Sequence, residues 1–144
     1  MNTAEQSMVD LALSIARKAH EGQLDKAGVD YIEHPIYVAS QVCTEDEKAV
    51  ALLHDVIEDS SVTAEELLNA GLPETVVTAV QILSKKKGQD YQTYLKTVKS
   101  NPLARAVKLA DLKHNSDLSR LETITDKDLE RLEKYKKAID YLSM

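Results

Sequence analysis

Residues 50–59 read VALLHDVIED, and two ionisable groups, His54 and Asp55, interrupt an otherwise apolar run. Burying an unpaired charge is costly, so buried charges are usually paired or bound to a metal. Glu58 is four residues after His54 and three after Asp55, and Asp59 is four after Asp55. On a helix those steps share a face. One helix is therefore expected to present an imidazole and several carboxylates toward one region. The plain alternative is a polar helix end whose acids face solvent.

Two further segments interrupt the apolar pattern. In VKLADLKHN, residues 107–115, Asp111 has Lys108 three before it and Asn115 four after it. Those three share a face, which is either a site or the wet side of an amphipathic helix. In YIEHP, His34 stands immediately before Pro35. The pre-proline position disfavours helical backbone, so His34 is expected to be extended at a helix start, as a rigid mount or an ordinary junction. Together the segments supply His34, His54, Asp55 and Asp111. A mixed nitrogen and oxygen set suits Mn, Fe or Zn better than Ca or Mg. Such an ion activates water near neutral pH, and Glu58 or Asp59 could steer that water or take its proton.

Helices must position these groups. Gly (4) and Pro (3) are scarce in the 144 residues, against the many turns that an all-β chain needs. There is no Trp or Phe, so the core must be Leu, Ile, Val and Ala. Thr3 with Gln6, Thr44 with Glu47, Thr63 with Glu66 and Thr125 with Asp128 read as capping boxes. Apolar residues at helical spacing follow each. The helix opened by Thr44 is expected to run to about Glu58, a short one to span Pro35–Val42, and Pro73 to begin another. Asn101 and Pro102 read as cap and first turn. The last helix carries Leu129, Leu132, Tyr135, Ile139 and Leu142. No strand is evident. An all-α bundle of about seven to eight helices around a metal site is expected.

The balance of charge narrows the partners. Asp plus Glu is 24 against 18 Lys plus Arg, a formal net charge of -6. A nucleic-acid surface usually shows a basic surplus, so none is expected, and the KKK at 85–87 reads as a solvated loop. No apolar run approaches a membrane span or a signal peptide. The lone Cys43 fits a reducing compartment. Cytoplasmic location and one domain over 1–144 are the expectations.

Beyond these residue-level readings, the chain resembles the HD superfamily, specifically the hydrolase domain of RelA/SpoT-type alarmone enzymes and their small single-domain relatives. The matching stretches are AHEGQLDKAGVDYIEHPIYVA (19–39), ALLHDVIEDSSVTAEEL (51–67) and VKLADLKHN (107–115). The resemblance implies an all-helical fold with one Mn²⁺ held by His34, His54, Asp55 and Asp111. It implies that Glu58 and Asp59 position or activate the attacking water. The implied reaction removes the 3′-diphosphate of (p)ppGpp to give GDP or GTP and pyrophosphate. It places Lys26, Asn115 and Tyr135 near the nucleotide, and His20 and His114 in supporting or packing roles. No synthetase domain is expected, because the chain ends where one would begin.

Two positions depart from the family. Its first loop often reads Arg-Lys-Ser-Gly, where this chain has Asp25-Lys26-Ala27-Gly28. A second Arg often follows the LAD segment, where this chain has Asp117. Each swap replaces a cation with an anion near a polyanionic substrate, and is expected to weaken binding and raise KM. The competing readings are an HD phosphohydrolase of another nucleotide, such as a nucleoside monophosphate or NADPH, and a non-catalytic nucleotide-binding module.

Overall fold

The computed structural model of the chain describes residues 7–25 and 27–144. Among the described residues the fold is all-helical. The helices are α1 (Met8–Ala19), α2 (Glu33–Ser40), α3 (Glu45–Leu53), α4 (Val56–Asp59), α5 (Ala64–Asn69), α6 (Glu74–Leu83), α7 (Tyr91–Ser100), α8 (Pro102–Asn115) and α9 (Asp126–Ser143). A short 3-10 helix, Leu118–Arg120, joins α8 to α9. The only extended pairing among the described residues is an isolated bridge between Leu24 and Asp30.

Capping residues set most of these boundaries. Thr44 with Glu47, Thr63 with Glu66 and Thr125 with Asp128 form reciprocal capping boxes, each satisfying two amides that the first turn leaves without partners. The Asn101 side chain accepts from the Ala104 amide, with Pro102 in the first turn. Pro73 lies just outside α6, as its N-cap. Ser7 caps α1. The expected pair Thr3 and Gln6 lies outside the described residues.

α3 is the axis. Residues Ala49–Leu53 are all buried, and α3 packs against α1, α2, α6 and α8. The second half of α3 is apolar on every side, and such a segment belongs in the middle. With no Trp or Phe available, its Ala and Val residues let the neighbours come close. α8 adds Ala104, Val107, Ala110 and Leu112 to the same core, and α9 adds Ala138 and Leu142. The Arg105 guanidinium ties α8 to α9 by donating to the carbonyls of Leu142 (2.6 Å) and Met144 (3.1 Å). Leu129 is not part of the buried stripe and is 52% exposed.

Two expectations are corrected where they matter most. The helix from Thr44 does not continue to Glu58. It ends at Leu53, and α4 restarts at Val56. The break follows from His54. The Ala51 carbonyl, which a continuing helix would give to the Asp55 amide, accepts instead from the His54 ring Nδ1 (2.5 Å) and the His54 amide (3.5 Å). A side chain that competes for a backbone partner interrupts the ladder. Nor is His34 extended. It is the second residue of α2, and Pro35 is tolerated because a first-turn amide has no intrahelical partner to lose.

Candidate metal centre and adjoining clefts

The break between α3 and α4 turns His54 and Asp55 toward α2 and α8. His34 from α2, His54 from the end of α3 and Asp111 from α8 are all buried, and one ligand atom from each lies within 4.8 Å of the others. His34 Nε2 is 2.8 Å from Asp111 Oδ1. His54 Nε2 is 3.4 Å from the same oxygen and 3.1 Å from Asp55 Oδ2. The sequence-predicted ligand residues are thus brought together, with Asp55 at the edge of the buried trio.

The protonation of His54 tests whether a cation fits. Its Nδ1 faces a carbonyl, which only accepts, so Nδ1 carries the hydrogen. In the neutral ring Nε2 is then a lone pair. That atom is buried, has no hydrogen-bond partner, and faces two carboxylates. Lone pair against carboxylate is repulsive unless positive charge lies between them. The electrostatics say the same. Burial opposes a charged His54, yet Asp55 and Asp111 outweigh burial and push its pKa well up. Burial likewise pushes the Asp111 carboxyl up, and Lys108 with the two imidazoles overrides it, holding Asp111 well below the usual carboxylate range. Asp55 is held down to about 2, against burial, chiefly by His54. The donor set fits a divalent cation.

Outer partners fix each ligand. The Lys108 ammonium is 3.1 Å from Asp111 Oδ2, and Asn115 Nδ2 donates to Asp111 Oδ1 at 3.0 Å. Burial opposes the charge on Lys108, and Asp111 keeps its pKa above the ordinary lysine value. His34 Nδ1 is 2.7 Å from His114 Nδ1, so one of the two carries the shared hydrogen. His114 stacks in turn on Tyr37. The Tyr31 hydroxyl donates to Asp55 Oδ2. Its phenol is kept protonated by burial and by that carboxylate.

One cleft opens on this cluster, and a second is lined by its outer partners Tyr31 and Asn115. The first is narrow, about 120 Å³, and is lined by His54, Asp55, Glu58, Lys85, Tyr91 and Lys108 among others. Glu58 Oε1 accepts from the Lys85 amide at 2.8 Å. Burial raises the Glu58 pKa despite that bond, and Asp55 and Asp59 add to the rise. The carboxyl is therefore more basic than usual and opens on the same space as the ligands. Asp59 is also raised, by burial and then Asp55. It lies at the end of α4, where its carbonyl accepts from Gln23 Nε2. It is not among the residues lining the narrow cleft.

The wider cleft, about 330 Å³, is lined by Tyr31, Asn115, Arg131 and Tyr135, and by the loop residues Leu24, Asp25 and Asp117 among others. Asn115 and Tyr135, which the resemblance implies lie near a nucleotide, both line this cleft. Lys26 lies outside the described residues. Both departing aspartates serve their own loops. Asp25 Oδ1 accepts from the Ala27 amide (2.8 Å) and the Val29 amide (3.0 Å). Gly28 completes that turn at φ +81, a left-handed value that other residues resist. Asp117 Oδ1 accepts from the Ser119 amide (2.9 Å) and hydroxyl (2.6 Å) at the start of the 3-10 helix.

Sequence reasoning passed over three residues. Tyr31 stands three before His34 and Lys108 three before Asp111, steps that place side chains together once a ligand is named. Lys108 was noted only for its face. Arg131, one helical turn before Tyr135, has no signal of its own, since exposed arginines are common. Its guanidinium is 3.2 Å from Asp128 Oδ1.

Comparison with known proteins converges on this geometry. The HD domain family pattern matches residues 12–114, which include every ligand of the cluster. A guanosine-3′,5′-bis(diphosphate) 3′-pyrophosphohydrolase of Haemophilus influenzae is 40% identical over 116 residues, covering 70% of this chain and 17% of that protein. The bifunctional (p)ppGpp synthase/hydrolase SpoT of Escherichia coli K12 is 34% identical over 119 residues, covering 72% and 17%. The chain therefore spans about a sixth of the length of these relatives. A solved structure, described as a metazoan ortholog of SpoT that hydrolyzes ppGpp and plays a role in starvation responses, superposes with a TM-score of 0.75 at 25% identity. That match covers 98% of this chain and 88% of the other. With the histidine and aspartate cluster, the helical frame and the matched span in agreement, the chain belongs to the HD-domain family.

Proposed function

We propose that the chain is a Mn²⁺-dependent (p)ppGpp 3′-pyrophosphohydrolase, acting as one HD domain on a small phosphorylated nucleotide. The observation that carries the reading is the buried, unpartnered His54 Nε2 facing two carboxylates, beside a cleft that also holds Glu58. The relatives named for (p)ppGpp hydrolysis supply the substrate.

In this reading His34, His54, Asp55 and Asp111 hold the ion. A divalent cation there draws charge from phosphate oxygens and makes nearby water more acidic. Glu58 takes a proton from the attacking water, and Asp59 helps orient it. The water oxygen adds to the phosphorus attached to the ribose 3′ oxygen, and that phosphorus–oxygen bond breaks. Pyrophosphate leaves with the new oxygen, the ribose 3′ oxygen takes up a proton to become a hydroxyl, and Glu58 gives up the one it accepted, directly or through solvent. Asn115 and Tyr135 hold the nucleoside in the wider cleft, with Lys26 contributing from the first loop. Lys108 keeps Asp111 ionised and aimed.

The test is a product assay with Mn²⁺ on a panel of ppGpp, nucleoside monophosphates and NADPH. Pyrophosphate and GDP from ppGpp, with slower or no turnover of the others, is the expected result. Preferred release of inorganic phosphate from another nucleotide would leave the HD chemistry and overturn the alarmone assignment.

A further inference from the structure

Tyr31 has a place in both halves of the site. It ends the loop closed by the Leu24–Asp30 bridge, where its amide donates to the Gln23 carbonyl at 2.8 Å. Its ring packs on those of His20 (centroids 4.9 Å apart) and His34 (5.7 Å), each at a tilt. His20 is itself fixed, 2% exposed with Nδ1 2.9 Å from the Gln23 side-chain oxygen. One edge of Tyr31 lines the wider cleft beside Asn115 and Tyr135. The other end reaches Asp55 Oδ2, the oxygen that also faces His54 Nε2.

We propose that Tyr31 is a positioning residue with two separable jobs: its hydroxyl aims the Asp55 carboxylate at the cation, and its ring forms the wall that the nucleoside meets. The hydroxyl's job follows from what surrounds Asp55. This residue is the N-cap of α4, yet its carboxylate makes no capping bond there. Its Oδ2 instead meets the Tyr31 hydroxyl on one side and faces the ligand cluster at His54 Nε2 on the other. A carboxylate only accepts, so the phenol must be the donor. Contacts with two imidazoles and the bond to Asp55 restrain the ring that carries this donor. The ring's job follows from the same restraint, since a wall already held in place costs little entropy when a ligand meets it. This half rests on the reading of the wider cleft as the nucleoside site.

Two substitutions separate the jobs. Tyr31→Phe keeps the ring and removes the hydroxyl, and Tyr31→Leu removes both. The probes are Mn²⁺ titrated calorimetrically into the metal-free full chain, and GDP binding at saturating Mn²⁺. Removing an outer partner of a metal ligand weakens metal binding about 10–100-fold, and that rise in the Mn²⁺ Kd is expected of both variants. GDP affinity should stay within about twofold for Phe and fall about five- to tenfold for Leu, which lacks the aromatic ring edge. If Tyr31 only packs, the Phe variant binds Mn²⁺ as the wild type does, and the proposal is wrong. Equal GDP losses in Phe and Leu overturn the division of labour. Should the wild type bind no GDP at all, the nucleoside reading of the cleft and the ring's job fall together, while the Mn²⁺ titration still judges the hydroxyl.

Discussion

The metal centre and the wider cleft are built by opposite means. The centre draws His34, His54 and Asp111 from α2, α3 and α8, all buried, and each is held by a second group. The cleft draws Asp25 and Asp117 from loops and Tyr135 from a half-exposed helix face, and its loops are held by aspartates bonding to nearby backbone amides. A ligand that must hold an ion to a fraction of an ångström belongs on packed helices. A surface that must admit and release a nucleotide belongs on loops, whose opening free energy is low. Changes in the centre should therefore cost stability and metal together, and changes in the cleft should cost affinity alone.

The sharpest way to break that contrast is Asp111→Ala. It removes a ligand and strands Lys108, whose side chain is only 16% exposed. Losing one partner of a buried pair costs about 3–5 kcal/mol. Urea unfolding should show that loss, and added Mn²⁺ should no longer stabilise the variant, while hydrolysis disappears. A variant that Mn²⁺ still protects as it does the wild type would remove Asp111 from the ligand set.

The same contrast explains what the sequence could reveal. Thr44, Thr63 and Thr125 announced their helices because a cap is a local bargain between residues three apart. His54, Asp55 and Asp111 stood out because buried elements leave a legible apolar background, and a charge against it demands a reason. The break after Leu53 was not legible. A histidine inside an apolar run reads as a face, and nothing in the spacing shows its ring taking the Ala51 carbonyl. His34 was misjudged as extended, because a pre-proline rule for helix interiors was applied to a first turn that has no amide bond to lose. In the cleft, Arg131 was silent, since a polar residue on a solvated background needs no reason. Asp25 and Asp117 were read as charges facing phosphate, and the structure gives their oxygens to loop amides.

Glu58 lies between the two regimes, half-exposed yet opening on the ligand cluster. Glu58→Gln keeps its bond from the Lys85 amide and removes the base, so kcat should fall by about 10²–10⁴. Stabilisation by Mn²⁺ should survive. Because burial raises its pKa, the group ionises at a higher pH than an ordinary glutamate. The acid limb of kcat should then lie higher than for a free glutamate, with activity lost as pH falls through it. Glu58→Gln should lack that limb. Unchanged turnover in the Gln variant would shift the base to Asp59 or to solvent.

Within the cleft, Tyr135→Ala tests affinity without metal. An aromatic face under a base is worth about 1–3 kcal/mol. KM for ppGpp should rise about tenfold or more at little change in kcat. Urea stability with Mn²⁺ bound should stay near that of the wild type. A variant that lost Mn²⁺ along with substrate would show that the two regions are less separate than their construction suggests.

The smallest expected effect is at Asp25, where charge and loop geometry can be pulled apart. Its Oδ1 accepts from the Ala27 and Val29 amides, an arrangement that asparagine can reproduce and alanine cannot. If the loop bonds are what matter, Asp25→Asn should leave KM within about twofold of the wild type, since a neutral oxygen still accepts both amides. Asp25→Ala should raise it further, because each bond contributes about 0.5–1.5 kcal/mol to holding the loop. The opposite pattern would follow if the carboxylate repels substrate phosphate. Unit charges at about 6 Å and an effective dielectric near 20 interact by about 3 kcal/mol, reduced by salt. Removing that charge should then lower KM in Asp25→Asn and Asp25→Ala, and reversing it in Asp25→Arg should lower KM most. Measuring KM at low and high ionic strength decides between them. An effect of loop geometry is indifferent to salt, whereas a repulsion fades as salt screens it, so an advantage of Asn over Asp that vanishes at high salt would assign Asp25 to the substrate after all.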